Sequence, residues 1–515
     1  MKKVYFVIIA FVLTCSISFG QMAGDIESII PSSVHIFLKT KEISKLIKTM
    51  NYIVNNLMDG KQRGEFIAKR DEFKKNTGID FLDEKSLKNA GVDTDRAASF
   101  ASFDKDNTDD AYLLLIPVLN EEEAVLRFIE VVKKMNSDDL PSSNATAKYK
   151  NLTVYELKKN QYVTAAYKYL IIGSNSDIIK RAVDSKESRK DILILDENYK
   201  DYLTRIGGVY DINVFVTKRF IAGLSSAEQS FSDTVDYISA GFTLDKNKFH
   251  VNASVKLAKD NKDVKQYLDF LKTGVHAGSI YVPTADSTIF FSLDYKYINN
   301  FCKGEVEWCQ QFNSLKEQMK NETGVDFEKD FLPYINGGMN IISQDSNSAI
   351  GGFGDVLVFI PMTDSAKIEE LWNKMKKYFQ TKYSKEKKFG EEKIGSNKGF
   401  WFIDESGMRL FVSYDKRGLY AGNSSVLMKS GLAGSTVTTV KSGKYKDMIN
   451  DKTFFILNIK KNSFMKMLMQ MSMQGNSDAA GWINRFGEMF LYCEKNDNFI
   501  TINFEVEMKE ANAKK

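Results

Sequence analysis

The feature that most constrains this 515-residue chain is that it is written twice. "PSSVHIFL", from Pro31, returns as "PTADSTIFFSL", from Pro283, and "TGIDF", from Thr77, returns as "TGVDF", from Thr323. The unit "YLLLIPVLNEEEAVLRFIEVVKKM" returns as "VLVFIPMTDSAKIEELWNKMKKYF", with Pro117 answering to Pro361. "LIIGSNSDIIKRAV" returns as "LYAGNSSVLMKSGL", "YKDYL" from Tyr199 as "YKDMI" from Tyr445, and the paired strands around Phe249 as those around Phe499. The landmarks keep their order, and the second of each pair follows the first by 244 (361 − 117) to 252 (283 − 31) residues. A period held over several landmarks marks a repeat architecture, so the chain reads as a tandem duplication of two homologous domains of about 250 residues each.

Each copy reads the same way locally. A short strand is followed by a helical stretch and the TG[IV]DF turn, then two strands, a helix, three more strands, a short helix, and a closing strand-helix-strand-strand passage. In the helix after Pro117, Asn120 is a good N-cap and Glu121 to Glu123 put negative charge on the positive helix end. Val125, Phe128, Ile129 and Val132 then fall on one face, and Asp364 is the cap ahead of Ile368, Leu371 and Trp372 in the second copy. Strands such as "YVTAAYKYLIIG" and "GFWFID" are rich in β-branched and aromatic residues, with short polar turns such as "DKN" and "KNDN". The fold class expected is α+β: in each domain a mainly antiparallel sheet with helices packed on one face. The expected division is a signal peptide over 1–20, a first repeat over 21–260, a connecting helix or linker over 261–278, a second repeat over 279–508 and a polar tail over 509–515.

The leading "MKKVYFVIIAFVLTCSISFGQ" carries two lysines, an apolar run from Val4 to Leu13 and small residues ending at Gly20. That order predicts a bacterial secretory signal cleaved after Gly20, too short and wrongly flanked to span a bilayer. Val12-Leu13-Thr14-Cys15 is a poor lipobox, so lipidation at Cys15 with peripheral membrane association is the competing reading. Both readings export the chain, to the periplasm or the outer envelope. Removing Lys2 and Lys3 takes the formal charge from +4 to +2 with acids and bases interspersed, which leaves no nucleic-acid footprint.

Cys302, Cys309 and Cys493 are the cysteines beyond the signal, too few for a disulfide framework. Cys302 and Cys309 could pair across "CKGEVEWC" only if the segment breaks near Gly304, because a continuous helix would hold them roughly 10 Å apart.

At "TGVDFEKDFLPYINGGMNI" the pattern is similar to the DUF3352 family of exported bacterial proteins, in which a glycine-aspartate turn, an acidic stretch, a "D-x-L-P" helix and a glycine pair lead into a strand. The strand-to-helix steps at Gly173-Ser174-Asn175 and Gly422-Asn423-Ser424 also resemble that family. The first copy departs from it, since "FLDEKSLKNAGVDTD" lacks the Leu-Pro and the glycine pair. The resemblance implies no activity and carries over no site residues.

The residues of chemistry are sparse. His35 and His250 sit inside strands and His276 in the joint between the copies, none within HExxH or a ligand cluster. The glycines of "GGFGD" precede their strand, whereas a dinucleotide loop follows its strand. There is no GxxxxGK[ST], and "AGNSS" and "LAGST" lack the spacing of a nucleophile elbow. Carboxylates in "NEEEA" and "GEEK" lie where a solvated helix start or turn puts them. No catalytic residue, metal ligand or cofactor site is therefore expected.

One segment departs from its twin. "SFMKMLMQMSMQG" carries five methionines, Met465 to Met473, against none in "RFIAGLSSAEQ". Thioether side chains fill cores, re-pack around varied ligands, and can capture soft metals. Met467 and Met471 fall off the stripe of Phe464, Met465 and Leu468, which makes them the candidate ligand or partner surface.

These readings lead to a non-catalytic exported cell-envelope protein binding a protein partner or an apolar ligand. The alternatives are a carboxylate-dependent hydrolase with its site in an inter-domain groove, and a purely structural envelope component.

Overall fold

The structure is a computed structural model and describes residues 26–58, 60–106, 109–135, 145–158, 161–206, 210–224, 233–245, 247–273, 285–294, 307–344, 354–433, 450–460 and 486–508. These fall into two compact units, one running to Lys256 and the other covering Leu257–Met508. The chain is α+β, and each unit is built on antiparallel sheet.

In the first unit the strands are β1 (Ile36–Thr40), β2 (Ser99–Asp106), β3 (Asp109–Pro117), β4 (Ala145–Tyr149), β5 (Leu152–Lys158), β6 (Gln161–Ala166), β7 (Tyr169–Gly173), β8 (Ile212–Thr217), β9 (Val235–Asp245) and β10 (Lys248–Leu257). Their pairings give the spatial order β4-β5-β6-β7-β3-β2-β1-β8-β9-β10.

The second unit contains β11 (Ser287–Ser292), β12 (Gly338–Gln344), β13 (Asp355–Pro361), β14 (Phe389–Ile394), β15 (Asn397–Ile403), β16 (Arg409–Asp415), β17 (Gly418–Gly422), β18 (Thr453–Ile459), β19 (Phe486–Asn496) and β20 (Phe499–Met508). Its order is β14-β15-β16-β17-β13-β12-β11-β18-β19-β20, the same path through the sheet.

Two expectations are corrected. The passage Tyr162–Gly173 is two strands, so four strands and not three separate the helices. Ala166 pairs directly with Tyr169 across a tight turn in which Tyr167 and Lys168 both take positive φ, 57° and 62°. That is the hairpin geometry normally served by Asn-Gly, and neither residue announces it.

The second correction concerns the layers. Helices cover both faces of the sheet, not one. Successive residues of a strand face opposite sides, and Leu114, Ile116, Leu170 and Ile172 meet the helices Ile43–Tyr52, Glu84–Asn89 and Glu121–Met135. Phe37 lies on the other face, where its ring meets Tyr199 of the helix Glu197–Arg205 at 5.7 Å, edge to face. The second unit repeats the division. Phe359 and Tyr420 pack with Leu427 and Met428 of the helix Ser425–Leu432, while Phe400, Val412 and Leu419 pack with the helix Ser365–Tyr383. The trace in the sequence was the unbroken run Leu113–Ile116, buried at every residue, since a strand covered on both faces has no polar side to alternate with.

The repeated TG[IV]D element ends a helix. Thr77 Oγ1 donates to the Phe73 carbonyl at 2.8 Å and accepts from the Ile79 N–H at 3.1 Å, while Gly78 takes φ +75°. Only glycine adopts that left-handed conformation at no steric cost. Asp80 then accepts from Arg70 at 2.6 Å and Lys74 at 3.2 Å, both on the helix Gly60–Thr77. In the second unit Thr323 bonds to Met319 and Val325 in the same way, Gly324 takes φ +68°, and Asp326 pairs with Lys320 at 3.0 Å.

Candidate functional site

The first unit holds a cavity of about 60 Å³ between three helices and the sheet. Phe73 reaches it from Gly60–Thr77; Leu87, Ala90 and Val92 from Glu84–Asn89 and its exit; Ala124, Arg127, Phe128 and Val131 from Glu121–Met135. Ile116 and Leu170 form its floor and Ile79 and Val118 complete the wall. Apart from Arg127 the lining offers a water no hydrogen-bond partner, and apolar walls of this kind favour apolar guests.

The local sequence explains the void. Asn120 caps Glu121–Met135 by accepting from the N–H groups of Glu122 and Glu123 at 3.1 and 3.2 Å. With the helix phased by that cap, its fourth residue onward is Ala124, a side chain too short to fill the space over Leu170. The neighbouring helix Gly60–Thr77 has no buried residue. It is held by Phe66 and Phe73, edge-on to Phe81 at 6.1 and 5.5 Å, and by the Arg70–Asp80 pair. Arg127 is the charged residue of the lining, and its Nη1 donates to the Asn89 carbonyl at the end of Glu84–Asn89.

The second unit carries larger apolar side chains at the corresponding helix positions. Asp364 caps Ser365–Tyr383 through Ala366 and Lys367 at 2.9 and 3.1 Å. Counted from the caps, Ala124 is matched by Ile368, Arg127 by Leu371, Phe128 by Trp372 and Val131 by Met375. Ile368, Leu371 and Trp372 are buried, and the helix closes over Phe400 and Phe402, with Trp372 at 5.7 Å from Phe400 and Phe379 stacked at 3.9 Å on Phe402.

A buried polar cluster in the first unit was missed by the sequence reading. Lys39 Nζ donates to Glu27 at 2.6 Å, and the Tyr199 hydroxyl donates to the same oxygen at 3.2 Å. Glu27 is 0% exposed and Lys39 5%. Burial, and then the Glu27 charge, push the Tyr199 hydroxyl well above its ordinary pKa. Lys39 lies between Ser99 on β2 and Asn213 on β8, both buried. The available signal was alternation, because Lys39 shares a face with Phe37. All three side chains are buried, and the chemistry of the cluster is that of a structural ion pair.

The second unit also has a wide polar concavity, about 1000 Å³, lined by Ser365, Glu369, Lys398, Tyr414, Asp415 and Arg417 among others. Glu369 accepts from Tyr414 at 2.8 Å and Lys398 at 3.1 Å, and these bonds hold its carboxyl below the usual range. Arg417 Nε donates to Asp415 at 2.8 Å. In the first unit, burial pushes the Asp211 carboxyl up.

His35 is buried in the bend just before β1, not inside the strand as expected, and His250 lies on β10. Cys309 is buried at the start of the helix Glu307–Thr323, and its expected partner Cys302 lies outside the described residues, as do Cys15, His276, Met467 and Met471. Among the described residues no group of His, Cys, Asp and Glu is placed to hold a metal, and no helix is long and apolar enough to cross a membrane.

No protein-family model and no curated protein matches the chain. Among solved structures it is similar to TP0453 in crystal form I, at a TM-score of 0.27 and 15% identity over 48% of this chain and 85% of that one. Crystal form IV gives 0.28 and 11% over 44% and 79%, and crystal form III gives 0.26 and 15% over 50% and 88%. Likeness at these TM-scores carries no argument here.

Proposed function

We propose that this chain is a non-catalytic exported protein of the cell envelope, made of two homologous α+β domains, of which the first binds an apolar ligand. The observation that carries the ligand is the cavity under Phe73, apolar on every side except at Arg127. The shared strand order and the repeated helix stop at Asp80 and Asp326 support the duplication; the lysines and apolar run before Gly20 support export. The resemblance to DUF3352 proteins accords with both. A hydrolase reading would want a carboxyl raised toward neutrality inside a concavity, whereas Glu369 is held in the opposite direction by Tyr414 and Lys398.

The test is native mass spectrometry of mature protein purified from its own envelope fraction, followed by organic extraction. An added mass that extracts as an apolar compound is the expected result. Bare protein that also takes up no added alkyl probe would overturn the ligand reading.

A further inference from the structure

We infer that the ligand of the cavity is a single-chain fatty acid, its alkyl end under Phe73 and its carboxylate on Arg127; this rests on the apolar-ligand reading above. Three observations converge on it. The cavity, about 60 Å³, has room for the end of one chain. Its one charged lining residue is a guanidinium, the side chain whose planar fork matches a carboxylate. That guanidinium is oriented at the wall by its bond to the Asn89 carbonyl, which uses one of the five donors an arginine carries.

The second unit supplies the comparison that makes Arg127 more than a surface cation. Where the helix carries Ile368, Trp372 and Met375, the residue at the Arg127 place is the buried Leu371. In the first unit Ala124 and Arg127 line a cavity, whereas Ile368 and Leu371 at the matching positions of the second unit are buried. An arginine present only for solubility has no reason to follow the void. Glu130, three residues on along the helix, pairs with Lys134 at 2.6 Å and also feels the Arg127 charge.

The experiment measures binding of decanoate and of decanol to the mature chain, by displacement of a fluorescent alkyl probe and by native mass spectrometry. Decanoate is expected to bind about tenfold more tightly than decanol, the effect of one charge-assisted hydrogen bond. Arg127→Leu should remove that preference and leave decanol binding in place, and Arg127→Lys should restore part of it. Ala124→Ile should abolish binding of both probes, with Val131→Met as a second filling variant if the first does not fold. Equal binding of the two probes, or an Arg127→Leu variant that keeps the preference, would overturn the fatty-acid inference while leaving an apolar ligand standing. Failure of both probes to bind would overturn the two together. Decanoate binding untouched by either filling variant would place it elsewhere and overturn the inference.

Discussion

Two helices occupy corresponding places in the two units, each started by a capping carboxylate or amide and each laid against the same face of its sheet, and they do opposite things with their apolar side. Glu121–Met135 leaves a hole over Leu170; Ser365–Tyr383 closes over Phe400 with Trp372. Backbone path is shared and volume is not. A fold's strand order therefore says little about whether a site exists in it, because a site of this kind is a deficit of side-chain volume at a few positions. The same contrast runs across the central strands. The first unit sets Lys39 between Ser99 and Asn213, and the second sets Phe290 between Asn340 and Ile456. These rows correspond, since Ser99 pairs with Leu115 and Asn340 with Phe359, each two residues before the proline that ends its strand.

The largest effect should come from breaking that row where it is charged. Lys39→Met leaves Glu27 buried without its cation, and removing one partner of a buried pair costs about 3–5 kcal/mol. The double variant Glu27→Leu with Lys39→Met should recover much of the loss, because the second unit's Phe290 fills the same place in its sheet with an apolar side chain. Denaturant unfolding followed by hydrogen exchange in β1 and β8 would measure both. A single variant as stable as the parent would mean that the pair is not buried as described.

The next largest probes the helices. Ile368→Ala opens in the second unit the kind of void the first already has, and truncation of a fully buried isoleucine costs about 2–5 kcal/mol. The reverse change, Ala124→Ile, adds volume to an existing cavity and should shift stability by less than that. If Ile368→Ala and Ala124→Ile were equally damaging, the cavity would be no deficit at all, and the contrast between the units would fall.

How much of this could be read beforehand follows from the range over which each feature is determined. The caps at Asn120 and Asp364 were legible because a cap is settled within three residues, and the bonds they accept are those expected. The hairpin at Asp497, with φ 55°, was legible from its polar residues. The turn at Tyr167 and Lys168 was not, because the positive φ there is imposed by the register of the strands on either side and has no local marker. The second helical layer left its trace in Leu113–Ile116, but such a run does not say what covers it. The cavity had no trace at all. Its wall is assembled from segments spread between Phe73 and Leu170, and a void is the difference between volumes that meet only once those segments are folded together. Lys39 was half legible: alternation put it beside Phe37 on the inner face, yet its partner Glu27 came from outside any strand.

The smallest effect, and the finest comparison, is between the two aspartates of the repeated helix stop. Burial pushes the Asp80 carboxyl up, but Arg70, the Leu82 N–H and Lys74 together hold it below its ordinary value. Asp326 is also held low, first by Lys320 and against a smaller desolvation. A carboxyl whose folded pKa is depressed contributes stability above its unfolded pKa of about 3.9 and loses that contribution as pH falls through the folded value. Asp80→Asn should therefore destabilise the end of Gly60–Thr77 by about 1–2 kcal/mol at neutral pH, a figure reduced for the exposure of Arg70 and Lys74, and by progressively less below pH ~4. Asp326→Asn should act in the same direction and more weakly, since the Asp326 side chain is 22% exposed where that of Asp80 is 3%. Amide exchange in Gly60–Thr77 and Glu307–Thr323, each variant measured against the parent at the same pH, separates the two. A larger loss at Asp326 than at Asp80 would show that the backbone bonds of Thr323 and Gly324, and not burial of the carboxylate, decide how firmly this element ends a helix.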